Sequence, residues 1–382
     1  NQLRMKAQEM LRKIHQGNKI CLLKKAIYGL RQSGRQWNLR FDEEIRKLGL
    51  IRTNADPCIY FDKKDNYLTL VAIYVDDIII ASRNQVRIAE IKRKLMSTFE
   101  MRDLGKIKQC LGIEFTETNE GIAMSQSRYI QEILKRFGME NAKPVTTPCD
   151  SSTKLVKPAH ATEASMRRYP YQELIGSLMY LAVCTRPDIS FAVSSLSQFN
   201  NCYDDDHWIA AKKVLRYLKG TTNLGIQFER ENLDLQGFVD ADWGSCVEDR
   251  RSYSGFVFTL ANGPISWESK KQRTVALSTT ESEYMALTEA TKEAIHIQRF
   301  LTEIGVRGKD PVSIFNDNQG AQRLAKNPSF HSRTKHIDIC HHFVRKAIRS
   351  EQVELQYLAT EEMPADILTK GLPRTKHETC LS

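Results

Sequence analysis

Two adjacent aspartates, Asp76 and Asp77, interrupt an otherwise apolar run, Ile-Tyr-Val-Asp-Asp-Ile-Ile-Ile, at residues 73–80. Carboxylates are seldom found in apolar surroundings unless a partner compensates their charge. The run contains no glycine, proline or asparagine that would mark a simple exposed turn. Two explanations stay open: a charged hairpin tip without a ligand, or a site where bound cations balance the pair. The apolar stretches on both sides favour the second.

Four further carboxylates occur at the ends of predicted strands and the starts of predicted helices. Asp240 lies at or near the end of one strand, and Asp317 ends another. Glu283 falls in the first turn of a long predicted helix, and Asp366 begins the last one. Side chains in such positions can converge on one edge of an α/β sheet, where ligands usually bind.

Four converging carboxylates repel one another unless cations bind between them. Hard oxygen ligands suit Mg²⁺ or Mn²⁺, and two such ions, roughly 3.5–4 Å apart, activate a water and stabilise the leaving oxygen of a phosphodiester. Each residue also has a simpler explanation: Asp240 can cap a turn, Glu283 can belong to a capping box, Asp317 can N-cap a helix, and Asp366 can interact with a helix dipole. The occurrence of all four in this order favours a metal site.

The elements around the paired aspartates are predicted from hydrophobic periodicity. An amphipathic helix runs from Lys24 to about Leu50, with Gly49 as its C-cap. Three short strands follow over residues 57–82, with a turn at 63–66, and the aspartates lie where the second strand gives way to the third. The same patterns predict a helix at about 85–99, a strand at 109–117 and a helix at 125–138.

The second half changes character along the chain. Residues 143–168 are rich in proline, serine, threonine and charge, which is typical of a linker. Helical patterns follow, with a break near Pro187. From about residue 233 the order is a strand, a hairpin with its turn at 262–264, a long helix at about 281–304, and then alternating strands and helices. This order predicts a mixed sheet covered by helices, within a multidomain chain of the α+β or α/β class.

Composition limits the possible function classes. The 382 residues suffice for two or three domains, and 41% hydrophobic with 27% charged residues is ordinary for globular proteins. We find no apolar run long enough for a membrane span and no signal peptide. The nine cysteines are scattered without a C-x-x-C pair, and His331, His336, His341 and His342 fit no zinc pattern. We therefore expect reduced thiols and no zinc site.

The charge is unevenly distributed. The formal net charge is +10, and residues 1–50 hold 12 Lys and Arg against 4 Asp and Glu. A basic face attracts nucleic-acid phosphates, and such binding weakens as salt rises. A solvated helix face would show the same composition, so charge alone leaves the two explanations open.

Five stretches of the C-terminal part resemble the ribonuclease H domain of copia-type LTR retrotransposon Pol polyproteins. They are GFVDADW, SWESKKQRTVALSTTESEYMAL, FNDNQGAQRLAKNP, RTKHIDI and PADILTKGL, and the match extends over residues 235–373. The resemblance implies that Asp240, Glu283, Asp317 and Asp366 are the four catalytic, metal-binding carboxylates, with two Mg²⁺ or Mn²⁺ ions. The implied reaction is hydrolysis of the RNA strand of an RNA–DNA hybrid, leaving 3′-hydroxyl and 5′-phosphate ends, with selectivity through the 2′-hydroxyls.

One position departs from that family pattern. Many ribonucleases H carry a histidine shortly before the last aspartate, and residues 358–366 contain none. Glu361 or Glu362 is an alternative for part of its role, although plain surface charge is the stronger explanation for both.

The YVDD stretch resembles the catalytic hairpin of reverse transcriptases of the same elements. Further similar stretches are CLLKKAIYGLRQSGRQWNLRFDEEI, FEMRDLGKIKQCLGIEF and SQSRYIQEILKRFGMENAKPVTTP, and residues 171–199 and 207–221 resemble the region that joins polymerase to ribonuclease H. The resemblance implies that Asp76 and Asp77 hold Mg²⁺ for attack of a primer 3′-hydroxyl on a nucleotide α-phosphate, with Tyr74 and Val75 beside the primer terminus.

The polymerase site of this family needs another aspartate, in a D-x-x-x-A-F-type motif on an earlier palm strand. No acid before Asp76 sits in such a motif. We therefore expect that the fingers and first palm strand are missing, and that this chain alone does not synthesise DNA. The expected domains are a partial reverse transcriptase (1–150), a helical thumb or connection (151–232), a ribonuclease H domain with helices on both faces (233–375) and a tail (376–382).

The resemblance also implies partners and a location. The partners are an RNA template, a DNA primer, RNA–DNA hybrids and deoxynucleotide triphosphates, with no membrane, and other Pol or capsid-like chains of the element are candidates. The expected compartment is a cytoplasmic virus-like particle, with the nucleus as the alternative, in an element whose cycle ends in DNA integration. Two competing hypotheses are a non-catalytic nucleic-acid-binding relic and a purely structural interaction protein. The relic would bind an RNA–DNA hybrid without cleaving it. The structural protein would neither bind nor cleave the hybrid.

Overall fold

The computed structural model describes residues 23–64, 67–158, 168–230, 233–326 and 335–381. Their contacts divide the chain into two compact units, the first reaching Asp103 and the second starting at Leu104. Among the helices in these ranges, none is both long and apolar enough to cross a membrane. The basic residues 1–22 and the linker residues 159–167 lie outside the described part.

The first unit is a four-stranded antiparallel sheet with two helices. Its elements are α1 (Ser33–Lys47), β1 (Ile51–Arg52), β2 (Ile59–Lys64), β3 (Tyr67–Tyr74), β4 (Asp77–Ser82) and α2 (Gln85–Thr98), and the sheet order is β1-β2-β3-β4. The predicted three strands and the helix at 85–99 are confirmed. Lys63 and Lys64 of the predicted turn at 63–66 belong to strand β2 instead, and residues 65–66 lie outside the described residues.

Helix α1 shows why an amphipathic stripe forms a core. Phe41 and Ile45, four residues apart, are fully buried together with Tyr60 and Val71 of the sheet. Gly49 follows the helix with φ +83°, a conformation that glycine adopts without a steric penalty. The predicted start at Lys24 was wrong, because α1 begins nine residues later. Its first part is instead a turn.

The second unit opens with strands and a helical layer. Its first elements are β5 (Gln109–Cys110), β6 (Ile113–Glu117), β7 (Gly121–Ser125), α3 (Ser127–Arg136), α4 (Tyr171–Cys184), a 3₁₀ helix (Pro187–Ile189), α5 (Ser190–Ser197), α6 (Asp205–Gly220) and β8 (Ile226–Glu229). The four strands form one antiparallel sheet in the order β5-β6-β7-β8. The predicted break at Pro187 is confirmed, whereas β7 and β8 were not predicted because each is short and β8 pairs with a strand about 100 residues earlier in the chain.

A five-stranded mixed sheet carries the second half of this unit. Its elements are β9 (Gln236–Ala241), β10 (Tyr253–Leu260), β11 (Gly263–Lys271), α7 (Thr279–Glu303), β12 (Val312–Asn316), α8 (Gln319–Lys326), α9 (Lys335–Arg349), β13 (Val353–Tyr357), 3₁₀ helices at Thr360–Glu362 and Pro364–Leu368, and α10 (Arg374–Leu381). The strand order is β11-β10-β9-β12-β13, with β12 parallel to both β9 and β13. The predicted mixed sheet is confirmed.

Burial along the strands shows that both sheet faces are covered. Residues 253–258 of β10 are all buried, and consecutive side chains of a strand point to opposite faces. Helix α7 and the 3₁₀ helix Pro364–Leu368 both contact β9 and β10. Phe238 and Val257, which are directly paired across β9 and β10, pack with Leu368. The central strand β9 is therefore held in place from both sides.

Two local predictions are corrected here. The β10–β11 turn consists of Ala261 and Asn262, both with positive φ, and Pro264 lies inside edge strand β11 instead of in the turn. Asp366 lies in a 3₁₀ helix and not at the start of the last helix, since α10 follows and covers most of the expected tail.

Candidate active site

The paired aspartates lie at the tip of the β3–β4 hairpin. Asp77 begins β4 and pairs with Tyr74, so Val75 and Asp76 form a two-residue turn. Val75 has φ +54°, an uncommon conformation for a β-branched residue. The indole of Trp37 donates a hydrogen bond to the Val75 carbonyl oxygen, which fixes the turn against α1.

Both hairpin carboxylates are exposed, as are Tyr74 and Val75. Within the described ranges, no third histidine, cysteine or acidic side chain joins Asp76 and Asp77 at a distance suited to a shared ion. Both carboxylates are therefore open to solvent, and the apolar stretches on either side belong to strands β3 and β4.

A second group of carboxylates lies where β9, α7 and β12 meet. Asp240, Glu283 and Asp317 each offer one oxygen, and these oxygens all lie within 4.8 Å of one another. Asp240 and Glu283 are buried, with 2% and 6% exposure, whereas Asp317 is half-buried. Three hard oxygen ligands at this spacing fit a divalent cation such as Mg²⁺ or Mn²⁺.

Secondary structure positions each of the three side chains. Asp240 is the next-to-last residue of β9, and Asp317 directly follows the neighbouring parallel strand β12. Glu283 lies one turn into α7, whose N-cap is Ser278, and the Ser278 hydroxyl accepts the Glu281 N–H. The capping-box explanation for Glu283 was therefore wrong, because the N-cap is Ser278 and not Thr280, and the residue three positions after it is Glu281.

The N-cap explanation for Asp317 is also wrong. The side chain of Asn318 accepts the Ala321 N–H at the start of α8. The Asp317 carboxylate instead accepts a hydrogen bond of 2.7 Å from the Thr360 hydroxyl. Asp317 is thus turned toward the other two carboxylates and away from the helix that follows it.

The fourth predicted carboxylate, Asp366, lies beside this group. It is not one of the carboxylates whose oxygens all lie within 4.8 Å of one another. It is 2% exposed, and the ammonium of Lys370 lies 2.8 Å from its Oδ1 and 3.4 Å from Asp240 Oδ2. Lys376 lies 3.4 Å from the other Asp366 oxygen. The structure therefore joins Asp366 to Asp240 through a lysine.

The electrostatics follow from burial and like charge. Burial raises the pKa of Asp240 to about 6, and the nearby Asp366 and Asp317 charges add to this effect while Lys370 opposes it. Burial also raises the pKa of Glu283 well above its ordinary value, with further increases from Asp240 and Asp317. These carboxylates favour a neutralising cation because each one destabilises the ionised form of its neighbours.

Several residues that hold the carboxylates in place were not predicted. Asn316 Nδ2 donates to Glu283 Oε2 at 3.0 Å, and the Thr369 hydroxyl donates to Asp240 Oδ2. Lys370 follows Asp366 by four residues, which is the helical spacing for an ion pair and is the one sequence signal that could have found it. The other two contacts join residues distant along the chain, so no local pattern reveals them.

The histidines considered for zinc are only partly described. His331 and the side chains of His336 and His341 lie outside the described residues, and the exposed His342 lies on α9. Glu361 and Glu362 form an exposed 3₁₀ turn before Asp366, which agrees with surface charge.

The chain is similar to known proteins along most of its length. The family model "Reverse transcriptase (RNA-dependent DNA polymerase)" matches residues 5–151. The retrovirus-related Pol polyprotein from transposon TNT 1-94 of Nicotiana tabacum is 42% identical over 94% of this chain, and that from transposon RE1 of Arabidopsis thaliana is 38% identical over 96%. The chain spans only 28% and 25% of these two polyproteins.

Among solved structures, LC11-RNase H1 in complex with an RNA/DNA hybrid covers 36% of this chain and 94% of that one. The two are 15% identical, with a TM-score of 0.28.

Proposed function

Because the chain belongs to the family of copia-type retrotransposon Pol polyproteins, we propose that residues 233–375 form a ribonuclease H that hydrolyses the RNA strand of RNA–DNA hybrids. The observation that supports this most is the convergence of Asp240, Glu283 and Asp317, whose ligand oxygens lie within 4.8 Å of one another. Such a group on buried strand and helix ends suits phosphodiester hydrolysis better than a surface role.

The roles of the residues follow from their contacts. Asp240, Glu283 and Asp317 would hold the divalent ions, with Asp366 beside them. The ions, when bound, would activate a water and stabilise the leaving 3′ oxygen. Asn316 orients the Glu283 carboxylate through its amide, so the ligand oxygens are fixed before substrate arrives.

For the N-terminal part, we propose that Asp76 and Asp77 belong to the metal site of the family's polymerase region, which extends to about residue 150. Its partners would be an RNA template, a DNA primer and deoxynucleotide triphosphates. The exposed hairpin tip leaves both carboxylates accessible to such ligands. Because no third carboxylate joins them within the described residues, we do not expect DNA synthesis by this chain alone.

The segment 151–232, which includes helices α4, α5 and α6, would connect the two regions, and the setting would be a cytoplasmic virus-like particle. In that setting other Pol or capsid-like chains become partners. The hybrid is the substrate that such a particle produces when RNA is copied into DNA.

The experiment is cleavage of an end-labelled RNA–DNA hybrid by the full chain with and without Mg²⁺. We expect Mg²⁺-dependent cleavage that Asp240→Asn abolishes, since this change removes a ligand charge with little change in shape. Asp76→Asn is the matched control, because it removes an aspartate charge from the other unit and should leave cleavage unchanged. A circular-dichroism melt of both variants verifies folding.

Cleavage that persists in a folded Asp240→Asn variant would refute the assigned site. Binding of the hybrid that weakens with salt but produces no cleavage at any metal concentration would favour the non-catalytic relic instead.

A further inference from the structure

A lysine lies inside the carboxylate site. Lys370 follows the 3₁₀ helix that carries Asp366, and its ammonium is 2.8 Å from Asp366 Oδ1 and 3.4 Å from Asp240 Oδ2. Both carboxylate side chains are 3% exposed, whereas that of Lys370 is 39% exposed. One partly exposed cation therefore contacts two buried carboxylates.

Asp240 is shared between two cation positions. On one side it forms the close group with Glu283 and Asp317, and on the other it shares the ammonium of Lys370 with Asp366. Uncompensated buried charges are costly. The position between Asp240 and Asp366 therefore needs a cation whether or not metal is bound. In the described part of the chain, Lys370 is the cation that lies between both carboxylates.

The neighbouring Lys376 is held differently. Its ammonium donates to the carbonyl oxygens of Thr360 and Glu361 at 2.7 Å and 2.6 Å, and it lies 3.4 Å from Asp366. Those backbone bonds fix Lys376 in place. The contacts of the Lys370 ammonium are with the two carboxylates, and its long partly exposed side chain can reach solvent by rotation alone.

We propose that Lys370 is a resident cation of this site, which must leave the Asp240–Asp366 position when a second divalent ion enters. The chain thus exchanges an internal monovalent cation for an external divalent one. This exchange regulates the site, because it stabilises the metal-free protein and raises the metal concentration at which the second position fills. The inference uses the site of the proposed function, but it does not depend on hybrid cleavage.

The first test is metal binding by the full chain without nucleic acid, measured by calorimetric titration with Mn²⁺. Lys370→Met removes the competing charge and keeps most of the side-chain volume. We expect the weaker metal affinity to increase by about tenfold or more, because the incoming ion no longer displaces an ion pair. In EDTA, the melting temperature of Lys370→Met should be lower than that of the wild type. The increase in melting temperature on adding Mn²⁺ should be larger for the variant. Lys370→Arg keeps the charge at this position. Lys292→Met removes an exposed lysine on α7, which does not contact the Asp240–Asp366 position. Both variants should bind Mn²⁺ as the wild type does.

The second test uses the unchanged protein and does not depend on any variant folding. An amine-reactive ester labels lysines in the absence and presence of saturating Mn²⁺, and peptide mass spectrometry reports each site. Labelling of Lys370 should rise several-fold with metal, while labelling of Lys292 stays constant.

The two tests can overturn the inference independently of the proposed function. Unchanged or weaker Mn²⁺ binding by Lys370→Met, or unchanged Lys370 labelling with metal, would show that the lysine does not exchange with an ion. If labelling and affinity change as expected but no hybrid is cleaved, the exchange stands and the nuclease proposal fails. If the hybrid is cleaved but neither labelling nor affinity changes, the nuclease proposal stands and the exchange fails.

Discussion

A buried ion pair in the helical part of the second unit allows a quantitative prediction. Arg186 and Asp188 flank Pro187, and they are 1% and 3% exposed. The guanidinium donates to both Asp188 oxygens, at 2.9 Å from Nε and 2.7 Å from Nη2. The Tyr217 hydroxyl donates to the same carboxylate at 2.7 Å, and Thr221 accepts the remaining guanidinium bonds. This arrangement joins the α4–α5 corner to α6.

The perturbation is Asp188→Asn, which keeps the shape and removes the charge. An amide in this position turns a donor toward the guanidinium and leaves a buried cation without its counter-ion. Breaking one partner of a buried pair costs about 3–5 kcal/mol. The pKa of Asp188 is lowered, because Arg186 and the Tyr217 hydroxyl outweigh the opposing effect of burial. The pair therefore stabilises the fold above about pH 4, the ordinary aspartate pKa, and the difference between variant and wild type should shrink below it.

The assay is urea denaturation followed by far-UV circular dichroism at pH 7. The control is Glu289→Gln, which removes one partner of an exposed pair with Lys292 and should change the free energy of unfolding by less than about 0.5 kcal/mol. The double variant Arg186→Met/Asp188→Asn should cost less than the two single variants together, because it leaves no unpaired charge. Additive costs, or an Asp188→Asn variant as stable as the control, would refute this account of the pair.

Two further predictions concern the segment behind the carboxylates. Thr369→Val should reduce the free energy of unfolding by about 1–3 kcal/mol, because Asp240 loses a hydroxyl donor, while Thr369→Ser should retain most of it; paired urea titrations measure the difference. Gly255→Ala should cost about 1–3 kcal/mol and weaken Mn²⁺ binding, because the added Cβ lies 2.6 Å from that of Leu368 and displaces the 3₁₀ helix. Gly176→Ala, in open space on α4, is its control and should be neutral or stabilising in a thermal melt; equal effects of the two changes would contradict the crowding argument.

The sequence alone determined the order and type of most elements. The spacing of Phe41 and Ile45 predicted a helix with one buried face, and Pro187 predicted a break between two helices. Both signals are local, because they depend on periodicity and on backbone restrictions within a few residues. The family resemblance was equally local, since it depends on short stretches of consecutive residues.

Tertiary structure decided where the side chains of these elements meet. Strands β7 and β8 pair across about 100 residues, with Met124 opposite Ile226, and neither strand is strong enough to be recognised by itself. The boundary between two strands at Asp76 and Asp77 was predicted from the sequence, whereas the exposure of this hairpin tip is seen only in the structure.

The candidate site shows this division most clearly. The sequence supplied Asp240, Glu283, Asp317 and Asp366 as acids at the ends of strands and helices. Only the packing of α7 and the last 3₁₀ helix on the sheet separated three close carboxylates from a fourth that reaches Asp240 through Lys370. The physical reason is that side-chain chemistry is a property of each residue, whereas distance and burial are set by contacts between residues far apart along the chain.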